Sequence, residues 1–221
     1  MPISHKHHTI FVHVPKAAGT SINKMLECDS EKHLVSFDWV RNMKQVPALP
    51  GMSYEEMMEI LYCHPQHLKA HQLKLLFPNE WKTYYKFAII RNPYERAVSE
   101  YEYIQKHRVN KALDFRNVDF ETFMSMVYKL PPHTRKLIFD YHFDNQKDFV
   151  TINNKIAVDE IYRYENIATC MRMLEIMTDN PQVHELKFKE KPYQEYYTPL
   201  AKYYVEQLFQ DDLRYFSYRF E

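Results

Sequence analysis

Hydrophobic residues in this chain come in short runs broken by polar stretches, and the length and spacing of each run decide what it can form. Thr9 to Val14 is a brief, β-branched apolar run stopped by Pro15, the pattern of a buried strand. A loop follows, and a helix is expected from Thr20 to Cys28. Ser53 to Glu56 has the spacing of a capping box, with Met57, Met58, Ile60 and Leu61 behind it on a helical stripe suited to a core. Phe87 to Ile90 reads as a second buried strand that stops at Arg91, Asn92 and Pro93, where Asn92 can cap a helix whose first residue is Pro93. That helix is predicted to reach about His107, with Ala97, Tyr101 and Ile104 at i, i+4 and i+7 as its inward face. Further on, Ile156 to Tyr164 predicts a strand and Asn166 to Met177 a helix, while Thr198 and Pro199 open a helix ending near Phe209. Strands separated by helices indicate an α/β fold of layered type.

Composition narrows the field. The 221 residues are 45% hydrophobic and 15% aromatic, enough for an ordinary core, and no repeat or linker interrupts them, so a single domain over residues 1–221 is expected. Twenty-nine Lys plus Arg balance 29 Asp plus Glu, which gives no global field to attract nucleic acid or an anionic membrane. Any anion site must therefore be local. Cys28, Cys63 and Cys170 are odd in number and widely spaced, which fits neither a disulfide framework nor zinc and suits a reducing compartment. No apolar run is long enough to span a membrane, and the polar, His-rich start resembles no signal peptide, so a soluble, cytoplasmic protein is expected.

Only two glycines occur, Gly19 and Gly51, and Gly19 lies where phosphate chemistry would want one. Buried strand, a loop with Lys16 and Gly19, and a helix start follow one another directly. At a helix N-terminus unpaired amides and the positive end of the dipole converge, so the amides of Ala17, Ala18, Gly19, Thr20 and Ser21 are candidates to cradle a phosphate. Lys16 would add charge, and the hydroxyls of Thr20 and Ser21 further donors. The plainer reading is a helix capped by Thr20 after an ordinary glycine. A nucleoside-triphosphate loop would put Lys directly before Ser or Thr and would come with a magnesium-binding aspartate, and neither feature is present.

Pro15 to Ser21, followed much later by Ala88 to Tyr101 with Arg91 and Ser99, resembles the carbohydrate sulfotransferases that use 3′-phosphoadenosine 5′-phosphosulfate (PAPS). Val158 to Asn166, Tyr193 to Thr198 and Phe216 to Tyr218 are similar to that family's later blocks in type and order, and the branch nearest in pattern contains the heparan and chondroitin sulfotransferases. The resemblance implies a P-loop-type three-layer domain with a central, mainly parallel sheet flanked by helices. It implies that the first loop binds the 5′-phosphosulfate, that Arg91 and Ser99 bind the 3′-phosphate, and that a hydroxyl, expected to be that of a poly- or oligosaccharide, accepts the sulfuryl group; because that group carries one negative charge less than a phosphoryl group, no metal is expected to be required. The chain departs from the family at Ala17, at Tyr162, where glycine is usual, and at Asp144 to Gln146, where Pro-Gln is common. Independently of the family, a guanidinium after a buried strand can fork onto two phosphate oxygens; the competing role for Arg91 is a pair with Glu95. Arg96 suits a structural or solvent-facing pair.

Transfer to a hydroxyl calls for a base, and twelve histidines are available. His64, His67 and His71 have helical metal spacing, but Pro65 interrupts the turn and no carboxylate or cysteine completes a set. The resemblance to heparan 2-sulfating enzymes points to His71, ahead of Leu75 to Phe77, as the base, with His67 and Glu100 behind it. His5, His7 and His8 are expected as a solvated arm and His13 as a strand residue, and Lys187, Lys189 and Lys191 as a solvated face. Two other functions stay open: a P-loop kinase of a small metabolite, marked by a need for ATP and magnesium, and an inactive nucleotide-binding module, marked by binding without turnover.

Overall fold

A computed structural model of the protein describes residues 3–26, 65–107, 115, 117–178 and 191–221. In chain order these form β1 (Ile3–Ser4), β2 (Thr9–Val12), α1 (Gly19–Met25), α2 (Ala70–Leu76), α3 (Pro78–Thr83), β3 (Tyr85–Ile90), α4 (Pro93–His107) and α5 (Phe120–Lys129). There follow α6 (Pro132–Phe139), α7 (Gln146–Val150), β4 (Thr151–Ile152), β5 (Lys155–Ile156), β6 (Glu160–Arg163), α8 (Ile167–Thr178), α9 (Pro199–Leu208) and α10 (Gln210–Tyr215). The expected capping box at Ser53 to Glu56 lies outside the described residues, as do Cys28, Gly51, Cys63, His64, Lys187 and Lys189. The described residues gather into two compact units, one of residues 3–26, 65–90 and 148–178, the other of 91–107, 115, 117–147 and 191–221.

The first unit is built on a four-stranded sheet in the order β1-β2-β3-β6. β2, β3 and β6 run parallel, with Phe11 opposite Phe87 and Ile90 opposite Arg163, and β1 adds an antiparallel edge. This is the mainly parallel α/β sheet with flanking helices that the alternation of elements predicts; α8 packs on β6 and α2 on the β4 strand. Every residue of β2 is buried, as are Phe87 to Ile90 of β3, which explains why these strands read as unbroken apolar runs.

Two expectations change here. The segment before β2 is no solvated arm: it forms β1 and a turn, with His5 Nδ1 2.8 Å from the Tyr84 hydroxyl and the Tyr85 amide donating to the His8 carbonyl at 3.0 Å. The single strand expected from Ile156 to Tyr164 is two. The Ala157 amide donates to Val150 at 2.9 Å and the Asp159 amide to Lys86 at 2.8 Å, so the chain leaves one hairpin partner and joins β3 between those residues.

The second unit has an aromatic core under α4, α5, α6 and α9. α4 covers Pro93–His107 as predicted, and Asn92 caps it by accepting from the Tyr94 amide at 3.0 Å. Rings meet edge-on, as between Phe139 and Phe143 at 5.0 Å and 72°, a geometry that favours the aromatic quadrupoles. Into this core α4 sends a charge: Arg96 is 1% exposed, lies 4.6 Å over the Phe209 ring, donates to the Asp144 carbonyl at 2.7 Å and sits 3.8 Å from Asp212. The solvent-facing alternative for Arg96 is therefore excluded, because its guanidinium is the polar centre of the unit.

Candidate functional site

In the first unit the loop between β2 and α1 has an unusual backbone. Lys16 and Ala18 both take positive φ, 64° and 66°, on either side of Ala17. Alternating handedness turns successive amides toward one side, the geometry of an anion-binding nest, and it costs an L-residue about 1 kcal/mol at each such position. Glycine would be the easy choice at both, and its absence hid the turn from sequence reading.

α1 begins at Gly19, and its N-cap is Ala18, with no side-chain cap; the expected cap, Thr20, is instead an exposed helical residue. The Ala18 carbonyl takes the amides of Ser21 and Ile22 at 3.1 and 3.2 Å. Ser21 thus drops out of the amides expected to meet an anion, which leaves those of Ala17 to Thr20 as candidates. Lys16 and the Ser21 side chain are half-buried beside them.

Gly19 answers to a second constraint. A Cβ built on it would lie 1.6 Å from Nε2 of His13, so the imidazole rests directly on the glycine backbone. His13 is therefore a loop-packing residue just past β2 and not a strand residue. The His67 ring lies against it, tilted by 54° with 4.6 Å between ring centroids, and His67 Nδ1 is 3.2 Å from the His13 carbonyl oxygen. His67 is buried, whereas His71, the second residue of α2, is half-buried. Between them Lys69 is buried with its Nζ 5.6 Å from the centre of the Phe149 ring, a cation that periodicity alone gave no reason to select.

In the second unit Arg91 precedes α4 and is held by its own backbone. Its amide donates to Oε1 of Gln146, and its carbonyl accepts from Nε2 of the same side chain, each at 2.8 Å. The guanidinium is 6% exposed and meets Glu95 one turn later at 2.5 Å, the pairing that the sequence offered as the alternative to phosphate. Ser99 is half-buried two turns along the helix. Gln146 was visible to sequence reading only as a departure from a family pattern, and its clamp on Arg91 was not.

Asp212 supports Gln146 in turn, accepting the amides of Gln146 and Lys147 at 2.8 and 2.9 Å at the start of α7. Burial holds the Asp212 carboxyl above its ordinary range, although Arg96 and those two amides pull it down. Also missed was a contact between Glu100 and His142, at 2.6 Å. The signal for it lay in α4, where Arg96 and Glu100 put two charges at helical spacing on a face otherwise apolar.

A parallel strand feeding a nest-like loop with a lysine, and an arginine clamped at the start of a helix, are features of an α/β protein that handles anionic groups. This chain belongs to the sulfotransferase family, whose model, described as Sulfotransferase family, matches residues 1–219. No curated protein and no solved structure matches it. Membership makes it a sulfotransferase, with a hydroxyl-bearing acceptor. Among the described residues no helix is long and apolar enough to cross a membrane.

Proposed function

We propose that the protein moves the sulfuryl group of PAPS to a hydroxyl, with a carbohydrate as the acceptor class. The observation that carries this reading is a family match that runs through both the Lys16 loop and the Arg91 helix, together with the alternating backbone at Lys16 and Ala18. The amides of Ala17 to Thr20 and the Lys16 ammonium are the proposed ligands of the 5′-phosphosulfate. They would stabilise the charge that collects on the bridging oxygen as the sulfur–oxygen bond lengthens, by analogy with loose phosphoryl transfer. Arg91 and Ser99 are the proposed ligands of the 3′-phosphate, with the Gln146 clamp fixing the arginine's backbone. For the base, the resemblance proposes His71. Since a sulfuryl group carries less negative charge than a phosphoryl group, the electrostatics do not demand a metal.

The test is transfer of labelled sulfate from PAPS to a panel of poly- and oligosaccharides without added metal, alongside calorimetric binding of adenosine 3′,5′-bisphosphate. Wild type should bind and transfer. Lys16→Ala should lose about 1.5–3 kcal/mol of charge-assisted bonding, roughly 10- to 150-fold in kcat/KM. Absence of bisphosphate binding by folded wild type would sink the reading, and binding without transfer to any acceptor would favour an inactive module.

A further inference from the structure

Arg91 and Arg96 stand at the start of one helix, and each meets a carboxylate, but the two pairs differ in kind. The Arg96 and Asp212 side chains are 1% and 0% exposed, so that pair is closed to water. Arg91 is almost as deeply set, yet its partner is not: the Glu95 side chain is 22% exposed while its Oε1 accepts from Nη2 of Arg91 at 2.5 Å. A carboxylate so placed can exchange its guanidinium for water by turning about its own side-chain bonds. The first pair is fixed, and the second is exchangeable.

The helix also sets where Glu95 stands. It belongs to the first turn of α4, where the positive end of the dipole favours an anion. Glu95 comes four residues after Arg91 and Ser99 four after Glu95, so the three follow one another along one side of the helix with Glu95 in the middle. A phosphate held by both Arg91 and Ser99 would lie where the Glu95 carboxylate now meets the guanidinium, and two anions repel each other there. The arginine cannot give way as a whole, because its amide and carbonyl are both bonded to the buried Gln146 side chain. Any exchange is therefore one of side chains.

We infer that Glu95 is a placeholder for the 3′-phosphate: it neutralises Arg91 in the ligand-free chain and yields the Nη2 donor when the phosphate arrives. The inference rests on the role proposed above for Arg91 and Ser99. A buried guanidinium left without a counter-charge is costly, which is the reason for a carboxylate at this place before the ligand binds. PAPS and the bisphosphate product carry the same 3′-phosphate, so the exchange weakens the binding of both alike and limits how firmly the product is retained. Glu95 is thus a specificity residue that sets how much the 3′-phosphate adds to nucleotide affinity.

The test is calorimetry on the full chain, comparing adenosine 3′,5′-bisphosphate with adenosine 5′-phosphate, which lacks the group in question. Glu95→Gln keeps the shape and an oxygen for Nη2 but loses the charge; it should bind the bisphosphate about 3- to 20-fold more tightly, with affinity for the 5′-phosphate unchanged. Glu95→Ala, which loses the bond as well as the charge, should shift the preference in the same direction. In an Arg91→Met background Glu95→Gln should change the affinity for neither nucleotide. Bisphosphate binding by folded Glu95→Gln that is equal to or weaker than wild type, an equal gain toward both nucleotides, or the same gain without Arg91 would each overturn the inference. A wild type that binds the two nucleotides equally, or an Arg91→Met that keeps the wild-type preference, would instead remove the assignment of Arg91 on which it rests.

Discussion

Gly19 owes its identity to a ring six positions earlier in the chain. Its rarity in this sequence marked it for attention, and phosphate binding was the reason the sequence suggested; the imidazole of His13 against its backbone is a steric reason that only the fold reveals. Gly19→Ala should destabilise the protein by about 1–3 kcal/mol, the range for overpacking a tight contact. Adding His13→Ala removes the obstructing ring, so the double variant should lose less in urea unfolding than the two single losses combined. Additive losses would mean that the contact is not what constrains position 19. Lys16 and Ala18 were legible as chemistry and illegible as backbone, because lysine and alanine carry no local preference for positive φ. Arg91 had two readings from sequence, and the Glu95 contact gives one of them a geometry.

Among elements, α4 was the most legible. Asn92, Pro93 and an apolar stripe are local signals, and they placed both of its ends. Thr198 and Pro199 opened α9 for the same reason, with the Thr198 hydroxyl accepting from the Ala201 amide at 3.1 Å. Ile156 to Tyr164 was misread because β5 and β6 share a period, and only the choice of partner strand divides them. What α4 did not announce is that Arg96 faces inward to Asp212. Arg96→Met should cost about 3–5 kcal/mol, since it strands a buried carboxylate; a second change, Asp212→Asn, removes the charge but sets its Nδ2 against one of the two amides that the carboxylate accepts, and should recover only part of the loss. The sign of the pH dependence follows from burial. Asp212 already titrates above its unfolded value, so its contribution is complete below that value and shrinks as pH rises through the folded one. Losing the guanidinium moves the folded value further up, and the penalty of Arg96→Met should be larger at pH 7 than at pH 4. Equal penalties at the two pH values in urea titrations would contradict this account.

At the scale of the whole molecule, the chain does not finish one unit before starting the other. It enters the second at Arg91, returns to the first at Asp148 and ends in the second. Nothing in the composition marks these passages, as no linker separates Ile90 from Arg91 and α7 runs through the return at Asp148. A fragment of residues 1–147 lacks β6 and α8 of the first unit and α9 and α10 of the second. It also lacks Asp212, the partner of Arg96 and Gln146. Such a fragment should show no cooperative urea transition by circular dichroism, whereas the full chain should; a cooperative transition in the fragment would mean that one unit is complete without its second segment.

The Gln146 clamp has a consequence for how this gene can drift. The side chain gives Arg91 a donor and an acceptor on the two arms of one flat amide. The genetic code offers glutamine, by one base change, only glutamate, lysine, histidine, arginine, leucine or proline, none of which carries an amide side chain. Asparagine lies two base changes away and is one methylene shorter. Position 146 therefore has no mutational neighbour that can stand in for it, and its codon is a dead end however tolerant the surrounding turn becomes.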